Sequence, residues 1–115
     1  MPSRPANQKR RGSSSGGSLA VVRAAADMTS CEQVRQLFIH CRRSIGDAGG
    51  CLQVDLKGVD QADTKLMACL VVVYQLARAA SVRMELSPSG CVLQMAEVCR
   101  LGWLIDQTSP RTADA

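Results

Sequence analysis

Two adjacent residues, Asp63 and Thr64, carry the chemistry that this chain suggests most directly. They stand between an acidic segment that includes Asp60 and an apolar run that begins at Leu66. A hydroxyl at a helix N-terminus is a favourable place for a phosphate, because free backbone N–H groups and the helix dipole stabilise an anion there. The pattern makes Thr64 a candidate phosphate acceptor, and the carboxylates of Asp60 and Asp63 would oppose the added charge.

The same pair has a purely structural explanation. Asp and Thr are common N-cap residues, and each stabilises a helix by about 1 kcal/mol in that position. Spacing alone favours capping by Asp63 and Thr64 over regulation, and the residues by themselves leave both interpretations open.

The elements that would position this pair alternate between strands and helices. Apolar alternation predicts strands at residues 19–22, 52–57 and 81–86, with Gly58 ending the second strand and opening an acidic loop. An apolar close at residues 101–105 suggests a short final extended segment. The chain is therefore predicted to be a small α/β domain, with a mostly parallel sheet of about four strands and helices packed against it.

Three helices are predicted between these strands. Thr29 and Ser30 begin overlapping capping-box patterns for the first helix, and glycines from Gly46 onward would end it. The second helix, after Asp63, is apolar nearly all round, which is typical of a helix buried on most sides. A turn at residues 87–90 starts the third helix. Expected core positions on the first and third helices are Val34, Leu37, Phe38, Cys41, Ile45, Leu93, Met95, Ala96 and Val98.

The order and spacing of these elements resemble the STAS domain family, the family of bacterial anti-sigma factor antagonists. The segments VDLKGVDQADTKLMACL and QLARAASVRMELSPSGCVLQMAEVCRLGW carry the resemblance, which covers roughly residues 19–105. Asp55 matches a strand Asp of the family, and Asp63-Thr64 match its Asp-Ser or Asp-Thr pair at a helix start. Ser87-Pro88 match its turn, and Leu101-Gly102 match its exit from the third helix.

The resemblance implies a non-enzymatic adaptor without a cofactor. Family members bind a kinase-type anti-sigma factor, a serine/threonine kinase-like protein, and the matched hydroxyl accepts its phosphate. Phosphorylation of Thr64 would then release the partner, and dephosphorylation would restore binding. The contact surface implied for this chain comprises Asp60, Asp63, Thr64, Lys65 and Leu66, with Ser87, Ser89 and Gly90 beside them.

Lys65 and Leu66 depart from the family pattern, in which small residues usually follow the acceptor. This departure favours an alternative function, because STAS domains also serve as small cytoplasmic subunits of lipid-transport ABC systems, including the outer-membrane lipid asymmetry type. Such a subunit would bind the transporter's ATPase or permease, and Thr64 would only cap its helix.

Other function classes receive little support from the residues. The chain has one histidine, His40, and no phosphate-binding glycine loop, so an enzyme is not expected. A divalent cation held by Asp55, Asp60 and Asp63 is a minor alternative. Scarce aromatic residues argue against specific nucleic-acid binding by base stacking, and the apolar runs are too short for a membrane span of about 20 residues.

The six cysteines lack the spacing of a zinc site, which predicts reduced thiols and a cytoplasmic protein. A redox-sensing role for the most exposed of them, Cys31 and Cys51, is a minor alternative.

Four basic residues before Gly12 account for the net charge of +4. Residues 1–18 are therefore predicted to be a disordered basic tail, residues 19–105 the domain, and residues 106–115 a flexible C-terminal tail.

Overall fold

The computed structural model describes residues 19–47 and 50–109, which form three strands and four helices. The predicted basic tail lies outside these residues, as does the end of the predicted C-terminal tail. The elements in chain order are β1 (Leu19–Met28), α1 (Cys31–Asp47), β2 (Cys51–Ala62), α2 (Thr64–Ala79), β3 (Arg83–Pro88), α3 (Gly90–Val98) and α4 (Gly102–Thr108).

The described strands form one parallel sheet in the order β1-β2-β3, with β2 in the centre. Leu52, Val54 and Leu56 of β2 are all 0% exposed, as the alternating pattern predicts. The intervening residues Gln53 and Asp55 are only half-buried and face the other side of the sheet. One face of the sheet therefore carries the core, and the helices α1 and α3 pack there against β1 and β2.

The paired part of β2 continues well past Gly58, so the predicted end of this strand is wrong. Gly58 pairs with Ala25 of β1 beyond a register shift, and a Cβ atom at Gly58 would lie 3.1 Å from the Ala25 Cβ. The Asp55 carboxylate accepts a hydrogen bond of 3.0 Å from the Lys57 backbone N–H, which shapes the chain at this bulge. Gly58 thus permits two strands to approach closely, where the sequence suggested a turn.

The first helix agrees with its predicted apolar stripe. Val34, Leu37, Cys41 and Ile45 are buried, and Phe38 is half-buried. The Ser30 hydroxyl accepts a hydrogen bond of 3.1 Å from the Gln33 backbone N–H, so Ser30 caps α1.

The C-terminal helices differ from the prediction in two ways. On α3 the buried residues are Val92 and Ala96, whereas Leu93 and Val98 of the expected core are exposed, because they share the solvent-facing side of the helix with its polar residues, glutamine and glutamate. The predicted last strand is the helix α4, in which Leu104 and Thr108 are fully buried at helical spacing. The fold therefore continues to Thr108, beyond the predicted boundary at residue 105.

Leu66 does not belong to the predicted contact surface. It lies in the first turn of α2 and is 0% exposed, packed within the core cluster. Its side chain anchors the start of the helix to the core and presents no surface to a partner.

This assignment predicts that Leu66→Ala destabilises the protein by about 2–5 kcal/mol, because it removes buried methyl groups and leaves a cavity. Val98 is 75% exposed. The control Val98→Ala should therefore change the free energy of unfolding by no more than about 0.5 kcal/mol. Urea unfolding followed by circular dichroism measures both free energies. If the two variants lose equally little stability, Leu66 is not a core residue.

Candidate functional site

The Asp63-Thr64 pair lies where the central strand passes into its helix. β2 ends at Ala62, Asp63 is the extended N-cap, and Thr64 is the first residue of α2. The Asp63 carboxylate accepts a hydrogen bond of 3.0 Å from the Lys65 backbone N–H. Asp63 therefore supplies the cap, and the hydroxyl-bearing residue Thr64 is exposed to solvent.

An ion pair joins the two neighbours of Thr64. Lys65 Nζ lies 2.6 Å from Asp63 Oδ2. The hydrogen bond from the Lys65 side chain holds the pKa of Asp63 below its usual value, and the same bond raises the pKa of Lys65. Thr64 thus lies in sequence between the two members of an ion pair, the Asp63 carboxylate and the Lys65 ammonium group.

A carboxylate from the neighbouring strand, Asp27, lies at the same end of the sheet. Asp27 pairs with Gln61 in the register of β1 and β2, just before Asp63. Hydrogen bonds from the Thr29 side chain and backbone lower the pKa of Asp27, while the nearby charge of Asp63 raises it. Asp27 is absent from the predicted site residues, although its Asp-x-Thr spacing with Thr29 is a recognisable local turn pattern.

Asp60 lies in β2 and not in a loop. It is the residue inserted between the pairs Ala26–Val59 and Asp27–Gln61, and it is exposed. Together with Asp27 and Asp63 it makes this end of the β1–β2 pair acidic.

The cation site suggested for Asp55, Asp60 and Asp63 is not supported by the structure. The Asp55 carboxylate pairs with Arg23 Nε at 3.2 Å, and its hydrogen bond from the Lys57 backbone N–H lowers its pKa. Within residues 19–47 and 50–109, no group of three His, Cys, Asp or Glu side chains is arranged to hold a metal ion.

The second part of the predicted surface lies at a different level of the sheet. β3 ends with Pro88 opposite Leu56, whereas β2 continues to Ala62. The six residues of overhang span at most about 20 Å along the strand. Ser89 caps α3 by accepting a hydrogen bond of 3.3 Å from the Val92 backbone N–H. Ser87, Ser89 and Gly90 are therefore set back from Asp60, Asp63, Thr64 and Lys65 along the sheet.

The cysteines are all free thiols. Burial raises the pKa of Cys41 to about 12 and that of Cys69 to about 11. Cys31 is exposed as expected, whereas Cys51 is half-buried and burial raises its pKa, which opposes formation of a reactive thiolate.

His40, the one histidine, is an exposed residue of α1. None of the helices in the described residues is long and apolar enough to cross a membrane.

A solved structure with a similar fold is that of the anti-sigma factor antagonist SpoIIAA in its unphosphorylated form. The two chains superpose with a TM-score of 0.63 at 16% sequence identity, over 76% of each chain. This chain has a STAS-like fold. The predicted fold is thereby confirmed, although the described sheet has three strands where about four were expected. No family model matches the sequence. No curated protein matches it either.

The ion pair beside Thr64 predicts a pH-dependent contribution to stability. The folded-state pKa of Asp63 lies below its ordinary value of 3.8. Ionised Asp63 therefore stabilises the fold above that pH, and this contribution is lost as the pH falls through the folded-state pKa. We expect Asp63→Asn, which keeps an acceptor for the cap but no charge, to lower the unfolding midpoint at neutral pH.

The difference from the wild type should shrink from neutral pH to an acidic pH below 3.8, because protonation of Asp63 removes the charge that Asn lacks. Thermal unfolding across this range measures it, with the exposed Asp106→Asn as a control that should follow the wild type. If Asp63→Asn lowers the unfolding midpoint by the same amount at both pH values, the charge of Asp63 contributes nothing to stability.

Proposed function

We propose that this protein is a non-enzymatic adaptor that binds another protein through the first turn of α2, and that phosphorylation of Thr64 weakens this binding. The exposure of Thr64 carries the proposal. Asp63 supplies the helix cap and Leu66 anchors the turn in the core, so the exposed Thr64 hydroxyl is needed neither for capping nor for packing. A phosphate at this position changes the surface charge and leaves the fold in place.

The charges around Thr64 make such a modification effective. A phosphate adds about −1.5 to −2 charges at neutral pH. It joins the carboxylates of Asp27, Asp60 and Asp63 at one end of the β1–β2 pair. A partner packed against this end would have to desolvate the added charge, which costs several kcal/mol unless a cation pairs with it. One phosphate therefore suffices to release a modest interface.

The kind of partner is suggested by the structural similarity. A neighbour of the same fold is an anti-sigma factor antagonist whose described state is the unphosphorylated one. We accordingly propose an anti-sigma factor of the serine/threonine kinase-like type as the partner, which would also supply the phosphate to Thr64. The proposed contact comprises the exposed residues Asp60, Thr64 and Lys65 and the half-buried Asp63, with Ser87, Ser89 and Gly90 at its periphery.

One observation favours a second candidate function. The ammonium group of Lys65 is held 2.6 Å from Asp63, in the residue directly after Thr64. A cation placed there would offset part of the charge of a phosphate and reduce its effect on binding. This arrangement suits a permanently bound adaptor, such as the STAS subunit of a lipid-transport ABC system bound to its ATPase or permease.

The test is affinity purification of the wild type and Thr64→Glu from cells that express the protein. We expect the wild type to recover a kinase-like anti-sigma factor and Thr64→Glu to lose it, because the added carboxylate opposes binding as a phosphate would. Gln75→Glu is the matched control, since it adds the same charge to an exposed residue about three turns further along α2.

Mass spectrometry of the recovered wild type should also show phosphate on Thr64. Recovery of a transporter ATPase or permease in equal amounts with both proteins would contradict the switch and support the second candidate function. Equal loss with Gln75→Glu and Thr64→Glu would show that the effect of charge is not specific to the first turn of α2.

A further inference from the structure

A shallow groove of about 500 Å³ runs between α1 and α2, beside the proposed contact. Cys31 and Phe38 form its wall on α1, and Ala68 and Val72 form its wall on α2. We call these residues, together with Arg35 and Lys65 at the rim, the α1–α2 groove. Buried residues of the core, Val34 and Cys69, close it from below.

The two apolar side chains that form the α2 wall of the groove lie outside the core cluster. Ala68 is exposed and Val72 is 42% exposed, although α2 is apolar over nearly its whole length. Lys65, Ala68 and Val72 follow one another at helical spacing, so they form one stripe along the outer side of α2. The apolar part of this stripe and the Phe38 wall face each other across the groove, and apolar residues grouped at a solvent-exposed recess mark a candidate binding surface.

The charged residues at the rim indicate which net charge the bound molecule carries. Arg35 stands on the α1 side and Lys65 on the α2 side, but the Lys65 ammonium is paired at 2.6 Å with the carboxylate of the helix cap, so the cationic edge of the groove is the α1 side. The guanidinium of Arg35 is 3.9 Å from the Glu32 carboxylate, and both side chains are well exposed. This ion pair is therefore weak and leaves Arg35 available to a partner. Arg42 and Arg43 extend the basic character along the exposed side of α1.

We propose that the α1–α2 groove binds an acidic amphipathic helix of a partner protein. Apolar residues at i, i+3 or i+4, and i+7 of that helix would fill the groove between Phe38 and Val72, and its flanking carboxylates would face Arg35 and Arg42 on the α1 side. The stripe from Lys65 to Val72 is two turns long, or about 10 Å, which matches a short helix and a weak interface. The inference rests on the proposed function only in taking the partner to be a protein.

Other occupants fit the groove less well. A second copy packed α1 against α1 about a two-fold axis would bring the two cationic Arg35 edges against each other. Residues 1–18 of this chain carry basic residues and no acidic ones, which is the wrong charge for the rim. A membrane surface is flat, whereas the apolar residues here line a recess between two helices.

The test uses two synthetic helical peptides of about 14 residues, one with leucines on one face and glutamates beside them, the other with every glutamate replaced by lysine. Titration of each into the full ¹⁵N-labelled chain is followed by amide chemical shifts. We expect the acidic peptide to shift the amides of Ala68 and Val72 and to bind about tenfold or more tightly than the basic one.

Two variants test whether this binding occurs in the groove. Val72→Asp should weaken binding of the acidic peptide about tenfold or more, because it places a carboxylate on the apolar wall. Val98→Asp, at an apolar residue of α3 that is 75% exposed, should change the affinity by less than about twofold. Ala68→Glu gives a second test if Val72→Asp fails to fold.

A third measurement needs no variant. The exposed thiol of Cys31 lines the groove, so saturating acidic peptide should slow its alkylation, while Cys91 on α3 should react at the same rate with and without peptide.

Several results would overturn the proposal: no shift with either peptide, equal binding of both peptides, or equal loss of binding in Val72→Asp and Val98→Asp. A wild-type dimer that Val72→Asp dissociates would assign the groove to a second copy. Binding of phosphatidylglycerol vesicles that Val72→Asp abolishes would assign it to a membrane. The peptide titration does not involve Thr64, so failure of the phosphorylation switch and failure of the groove are separate outcomes.

Discussion

The burial of β2 is the constraint on which the rest of the structure depends. This strand pairs with β1 on one side and β3 on the other, and its inward residues Leu52, Val54 and Leu56 are fully buried. Full burial of each such side chain contributes about 1.5–3 kcal/mol, so this strand accounts for a large share of the core. α2 follows β2 after the single residue Asp63, and the position of Thr64 is therefore set by the most buried strand of the domain.

In the first turn of α2, different residues cap the helix, fill the core and face solvent. The exposed position is therefore held in place by its neighbours, and its own side chain can be modified without disturbing the fold. Asp63 satisfies the open N–H group of Lys65, and Leu66 fills space in the core. Thr64, between them, has no such task and faces solvent. The α1–α2 groove lies along the next turns of the same helix, so one rigid element presents both the proposed contact and a second binding surface.

The sequence predicts those features that depend on short, regular periods. The alternation of Leu52, Val54 and Leu56 and the stripe that contains Leu37 and Cys41 were sufficient to identify β2 and α1. The continuation of β2 past Gly58 depends on its contact with Ala25, which lies far away in sequence. The helix α4 and the exposed side of α3 depend on which apolar residues of these two segments meet the core. Asp27 joins the candidate site only through the pairing of β1 with β2.

The most direct test of this account compares the ¹H–¹⁵N spectra of the wild type and Thr64→Glu. Because the Thr64 hydroxyl neither caps the helix nor packs in the core, we predict that the shifted amides are confined to the first turn of α2 and to residues 27–29, which include the neighbouring carboxylate of Asp27. The amides of Leu52, Val54 and Leu56 should keep their positions. Shifts throughout β2, or a loss of spectral dispersion, would show that Thr64 is a structural cap and would contradict the account.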